Sequence, residues 1–394
     1  MSVLKSQDPY EGVRKVIEML DYHNLNIKDS RVLVKPNLAS AIPPEEGAQV
    51  THPDVVGALI RYLYEEGAQK VYVGDEPSWG LGARFCFEKT GIKKVVEREG
   101  GELVYFDESK RITKKIPEGR IFGSLSVPAI LDEVDLLINA PKMKTSLQTL
   151  VTLCIKNLFG LMLFRDRKLF HRGVDLSYAL IDIAKIIRPH LNVIDGIMAS
   201  EGMGAHSGTP YPLGILMASR DMVAADIVGT QIMGFNPMEP VPNQLAIKDK
   251  LGIESMEQIE LVGEPLKEVR ATMMRPVFRL VHPDANVEVI PGGICQGCIS
   301  RIPKIPPLVD KKKRYAVIIG KRVRFPKNRE FDEIWCFGDC GIEEGNKLAA
   351  KFPHLKEKIK QVKGCPPLDW WREHTVEKEL KEKGGFNEVV ELEK

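Results

Sequence analysis

Short aliphatic runs alternating with segments of helical period constrain this chain more than any other feature. RVLV at 31–34, KVYV at 70–73, VDLLI at 134–138, LNVI at 191–194 and LGILM at 213–217 are bounded by turn residues and read as buried strands. Between them lie helical patterns at 53–64, with Thr51 as the expected N-cap, at 176–187, and at 222–233, with Asp221 as N-cap. Strands separated by helices pair in parallel, with the helices covering the sheet. The order therefore predicts an α/β fold with a largely parallel sheet and flanking helices.

Around 270–288 the alternation lapses into an irregular stretch containing prolines. We expect a boundary there, with an α/β substrate-binding domain over 1–270 and a smaller α/β, cysteine-rich iron–sulfur domain over 286–394. The 394 residues, 43% of them hydrophobic, suffice for two such bodies. The tail has its own rhythm: strands at 315–319, 334–336 and 359–362, a helix at 343–352 and a closing helix at 368–381.

Charge and hydropathy narrow the function classes. A net charge of +2 argues against nucleic acid as a partner of the whole chain. Residues 1–20 mix Lys5, Asp8, Glu11, Arg14 and Lys15 with short apolar pieces, unlike a secretory signal. No run approaches the roughly 18 apolar residues of a membrane helix. The expectation is a cytoplasmic protein with no membrane or nucleic-acid partner and without disulfides.

Ligands of open α/β sheets bind beyond the carboxyl ends of the strands. Here those ends deliver Lys35-Pro36-Asn37, then Gly74-Asp75-Glu76-Pro77, then Asn139 to Thr145 with Lys142 and Lys144, then Asp195-Gly196 followed by Glu201. Lys156, in the apolar Lys-Asn-Leu-Phe-Gly block, adds a cation whose pKa burial would lower. Lys35, Asp75, Lys142, Lys144, Lys156, Asp195 and Glu201 are the candidate catalytic residues, suited to acid–base chemistry on a small anionic or carbonyl substrate. The ordinary alternative is a set of polar loops shaped by proline and a Lys156 that merely snorkels to water. Arg165, Arg167, His171 and Arg172 fit either an anion clamp or a solvated helix face. Gly202-Met203-Gly204-Ala205-His206-Ser207-Gly208 precedes a strand rather than a helix, so it reads as a flexible substrate loop and not as a dinucleotide fingerprint.

Five cysteines crowd the tail: Cys295 and Cys298 in Cys-Gln-Gly-Cys, Cys336 and Cys340 in Cys-Phe-Gly-Asp-Cys, and Cys365 in Gly-Cys-Pro-Pro. Thiolates are soft ligands, and a cysteine followed by proline is common at iron–sulfur sites. These residues are the candidate metal ligands, with a four-iron four-sulfur cluster expected and zinc as the alternative. Cys336 at a strand end, Cys340 just before a helix and Cys365 after the next strand would converge on one sheet edge if the strands are parallel. Cys86 and Cys154 lie in apolar surroundings and read as buried structural thiols. Basic residues from Lys311 to Arg329 flank the cysteines. They are either a solvated face or a docking surface for an acidic electron carrier such as ferredoxin.

The blocks VLVKPNLAS, THPDVVGALIRYL, VGDEP, FEKTGI, DLLINAPKMKT, IKNLFGL, VIDGIMASEGMG and MASRDMVAADIVG, in that order over about 32–264, resemble the family catalogued as domain of unknown function 362. The resemblance implies iron–sulfur modules alongside the domain and names no reaction. A weaker similarity joins the segment around Thr51 to Pro53 and the Lys-Asn-Leu-Phe-Gly block to the N-terminal half of nickel-dependent lactate racemase. It implies an anionic hydroxy-acid or acyl substrate. The leading expectation is a redox enzyme acting on a small anionic or carbonyl substrate. A lyase, isomerase or transferase with a structural or Lewis-acid cluster is an alternative, as is an electron-transfer protein without its own substrate.

Overall fold

Each aliphatic run forms a strand, and several strands continue into the polar residues that follow, which brings those residues into the ladder. In the computed structural model the chain is described except at residues 21–24, 79–80, 168–175, 205–206, 277–285, 295–297, 299–309, 311, 327–328, 366 and 368–394. The expected closing helix at 368–381 lies outside the described residues. The chain divides into two units, 1–168 with 176–276 and 169–175 with 277–394.

The first unit is built on a sheet of eleven strands among the described residues. Its main path runs Val262–Gly263, Ser2–Lys5, Ile215–Ser219, Leu191–Met203, Leu136–Ala140, Arg31–Pro36, Lys70–Asp75, Glu102–Tyr105. From Leu191–Met203 to Glu102–Tyr105 every pairing on that path is parallel, and Ile215–Ser219 adds antiparallel pairs on the other side. This is the α/β fold with a largely parallel sheet that the strand–helix alternation implies. Helices Pro9–Glu18 and Pro53–Glu65 cover one face. Val13, Val16, Ile17, Val55, Val56, Leu59 and Ile60 pack there with Val32, Val34, Val71 and Val73, all fully buried. Burial of each such side chain contributes roughly 1.5–3 kcal/mol, so this layer holds the strand ends rigidly.

Local signals hold where no distant partner competes. Asp221 caps helix Met222–Ile232, its carboxylate accepting from Val223 N and Ala224 N. Helix Pro53–Glu65 is capped by His52 rather than Thr51. The Thr51 hydroxyl instead accepts from Asn37 N and donates to Ala140 O, joining two strand ends. Most of the expected loop at 202–208 is paired: Leu191–Met203 runs antiparallel to Ser207–Tyr211, with Gly202 opposite Gly208 and Met203 opposite Ser207. No helix among the described residues is long and apolar enough to cross a membrane.

The second unit is a four-stranded parallel sheet in the order Val287–Pro291, Tyr315–Ile319, Glu333–Phe337, Ile359–Val362. Helix Gly338–Lys351 starts five residues before the expected position. Gly338, at φ 75°, turns the chain straight from strand into helix. Side chains of one parity (Val317, Ile319, Phe337, Val362) form one apolar layer, and those of the other (Ala316, Ile318, Ile334, Cys336) form a second with Leu348 of the helix.

Candidate functional site

In the first unit Arg31–Pro36, Lys70–Asp75 and Leu136–Ala140 end in step, while Leu191–Met203 runs on past them. Lys35 pairs with Asn139 and Asn139 with Asn192, so three polar residues lie abreast one pair before Pro36 and Ala140. Lys142–Ser146 continues beside Leu191–Met203, with Lys142 opposite Asp195 and Lys144 opposite Ser200. Lys35, Lys142 and Lys144 are each no more than 1% exposed. Three lysines are seldom hidden this completely unless each is paired.

Two of the three have a carboxylate. Lys35 Nζ lies 2.8 Å from Asp75 Oδ1 and Lys142 Nζ 2.8 Å from Asp195 Oδ2. Both carboxylates are held by backbone as well, Asp75 by Leu38 N and Glu76 N, Asp195 by His52 N and Ile197 N. Lys144 has only neutral partners, donating to Asn37 Oδ1 at 2.8 Å and Gln49 O at 2.7 Å. Burial first, and then the nearby charges of Lys156 and Lys142, hold its pKa well below that of an ordinary lysine. Lys156 is part-buried and donates to Ser146 Oγ, and desolvation lowers its pKa to about 7. Burial also lowers the pKa of Lys35, against the pull of Asp75.

A chain of amides links these cations. Asn37 Nδ2 donates to Asn157 Oδ1 (2.9 Å), Asn157 Nδ2 to Asn139 Oδ1 (2.8 Å), and Asn139 Nδ2 to Asn192 Oδ1 (2.9 Å). None of the four was singled out from the sequence as a site residue. The available signal was position, since each lies in, or within two residues of, a strand or helix end that already carried a candidate. Gly160 closes over the Lys35–Asp75 pair so tightly that an added methyl would overlap Asp75 Oδ1 and lie 2.8 Å from Lys35 Nζ.

Asp226 was also missed. It accepts from Cys154 N (2.7 Å) and Ile155 N (3.2 Å) at the start of the turn Cys154–Asn157, which carries both Lys156 and Asn157. Burial raises its pKa to about 7. Cys154 and Cys86 are fully buried, as expected.

Other candidates fall elsewhere. Glu201 does not join the lysines: its carboxylate accepts from Met274 N at 2.6 Å, because the strand runs on past Asp195 and carries Glu201 out along the hairpin. Arg167 is buried rather than solvated, donating to Glu76 O (3.1 Å) and Pro77 O (3.0 Å) with Glu76 Oε1 3.5 Å away. Glu76 Oε2 and Arg167 Nε are buried with no hydrogen-bond partner among the described residues. His171 and Arg172 lie outside the described residues, and so does Cys295.

In the second unit Cys298, Cys340 and Cys365 line one pocket of about 150 Å³ with Gly293, Gly320 and Gly338. The pocket sits at the carboxyl ends of the four parallel strands, and Cys340 lies in the first turn of helix Gly338–Lys351. Asp339 N donates to Gly364 O and Gly364 N to Asp339 Oδ1, tying the two cysteine-bearing loops together. Among the described residues no three His, Cys, Asp or Glu side chains gather as ligands of a single ion. Three thiols around one space are soft ligands of the kind that an iron–sulfur cluster or zinc takes. Of Cys336, Cys340 and Cys365, only the last two meet at the sheet edge. Cys336 is fully buried in the layer beneath the helix, where desolvation pushes its thiol up to about 12.

The fold and the strand-end centre together define an α/β protein whose sheet presents buried lysines and amides to one rim. The chain belongs to the DUF362 family, domain of unknown function, whose model matches residues 32–231. It is similar to a thylakoid-associated protein from Synechocystis sp., with 32% identity over 264 residues, 64% of this chain and 79% of that protein. Among solved structures it is similar to the lactate racemase apoprotein from Thermoanaerobacterium thermosaccharolyticum at 14% identity and a TM-score of 0.29, covering 55% of this chain and 53% of that one. The chain thus spans about half the length of that racemase. A Thermotoga maritima protein matches at 14% identity and a TM-score of 0.31, over 82% of this chain and 74% of its own.

Proposed function

We propose that the first unit binds a small anionic carbonyl compound at its strand ends, and that the second unit carries a four-iron four-sulfur cluster, making the protein a redox enzyme. One observation carries the substrate half. The carboxylates of Asp75 and Asp195 are already paired with Lys35 and Lys142, which leaves Lys144 and Lys156 with neutral partners alone. A buried cation without a counter-charge is costly, so an incoming carboxylate that supplies the missing charge stabilises the centre as it binds. A lysine amine titrating near neutrality can also deliver or accept the proton that carbonyl chemistry requires. Bound in the second unit, the cluster would supply electrons one at a time. Thiolate ligation suits a reducing compartment such as the cytoplasm. Lys321, at the pocket rim, with the exposed Arg322 and Arg324, offers positive charge to an acidic electron carrier such as ferredoxin.

Calorimetry with glyoxylate, the smallest carbonyl carboxylate, tests the reading. At pH 8 Lys156 is largely neutral, so binding should draw in a proton, seen as a heat that varies with the ionisation enthalpy of the buffer. Lys144→Met and Lys156→Met should each weaken binding at least about tenfold, or about 1.4 kcal/mol. Unchanged affinity in both variants would refute the substrate half, and stoichiometric zinc without iron in anaerobically purified protein would refute the redox half.

A further inference from the structure

Strand parity separates Cys336 from the thiols that line the pocket. Successive side chains of a strand point to opposite faces, so Phe337 and Cys336 belong to different layers. Phe337 packs with Val317, Ile319 and Val362, and the part-buried Cys298 joins this layer. Cys336 packs with Ile318, Ile334 and Leu348 on the helix side, where a methyl added to Gly345 would overlap its sulfur. Its register is pinned from both sides, opposite Ile318 on one neighbour and Gln361 on the other. Turning Cys336 toward the opposite face would require a one-residue slip, which would turn the whole strand inside out. Cys298, Cys340 and Cys365 already face a common space. Gly338, at φ 75°, lines that space beside Cys298, 3.7 Å separating Cys298 Sγ from where a methyl would lie.

We propose that Cys298, Cys340 and Cys365 ligate the cluster and that Cys336 is a core thiol with no part in ligation. This rests on the cluster reading above. In anaerobically purified full-length protein, Cys336→Ala should keep the wild-type iron and sulfide content and the same electron paramagnetic resonance spectrum after reduction. Cys298→Ser, Cys340→Ser and Cys365→Ser should each lose most of both. Loss of iron in folded Cys336→Ala, to the extent seen in the other three, would overturn the assignment.

Thiol footprinting separates this inference from the cluster reading and needs no variant to fold. With iodoacetamide and mass spectrometry, Cys298, Cys340 and Cys365 should be protected in the metal-loaded protein and react after chelation. Cys336 should stay unreactive until the protein is denatured. Protection of the three by zinc in a protein that takes up no iron would end the cluster reading and leave the ligand set standing. Reactivity of the three thiols in metal-loaded protein equal to that after chelation, or alkylation of Cys336 as fast as theirs once the metal is removed, would overturn the ligand set itself.

Discussion

Gly160 shows how little room the lysine centre leaves. It sits where a side chain would overlap Asp75 Oδ1, so Gly160→Ala should force the Lys35–Asp75 pair apart. Overpacking of this kind costs about 1–3 kcal/mol, and the denaturant midpoint of the variant should fall accordingly. A wild-type midpoint would mean that the approach is not close. The lysines themselves were legible in the sequence, because a long cation directly after an aliphatic run does nothing for a turn. Their partners were not. Lys142 and Asp195 are 53 residues apart, and nothing local tells Lys142 from Lys144, of which only Lys142 has a carboxylate.

At the scale of elements, the short turn Cys154–Asn157 owes its position to Asp226, a side chain on helix Met222–Ile232. The Asp226 carboxyl titrates near 3.8 when unfolded and near 7 when folded, so the folded chain holds the proton more tightly. Between about pH 4 and pH 7 the folded state therefore binds more protons than the unfolded state, and this group's contribution makes stability fall as pH rises. Asp226→Asn removes the titration, and the decline across that window should be shallower when unfolding free energy is measured by denaturant at several pH values. An equal slope in both proteins would show that Asp226 does not titrate there. Strands were easier to anticipate than their ends. Tyr315–Ile319 and Ile359–Val362 match to the residue, whereas Glu333–Phe337 runs one residue past Cys336, and that residue makes Cys336 a core side chain instead of a strand-end ligand.

For the whole molecule, the division into two units implies two separable responses. The metal proposed for the second unit would stabilise that unit by mass action. Anaerobic chelation should therefore lower the melting of the second unit by several degrees and leave the first unchanged, as read by hydrogen exchange across the sheet Val287–Pro291 to Ile359–Val362 and across Arg31–Pro36. Equal loss of protection in both would contradict separate response. The sequence by itself determined the α/β class, the strands that exist and the cations, carboxylates and thiols that follow them, because these depend on residues a few positions apart. Only the tertiary structure decided that Thr51 leaves its helix to join two strands, that Lys144 and Lys156 lack carboxylates, that Glu201 lies out along a hairpin and that Cys336 faces away from the other thiols. Those outcomes depend on register and on partners tens to hundreds of residues away, which chain order does not encode locally.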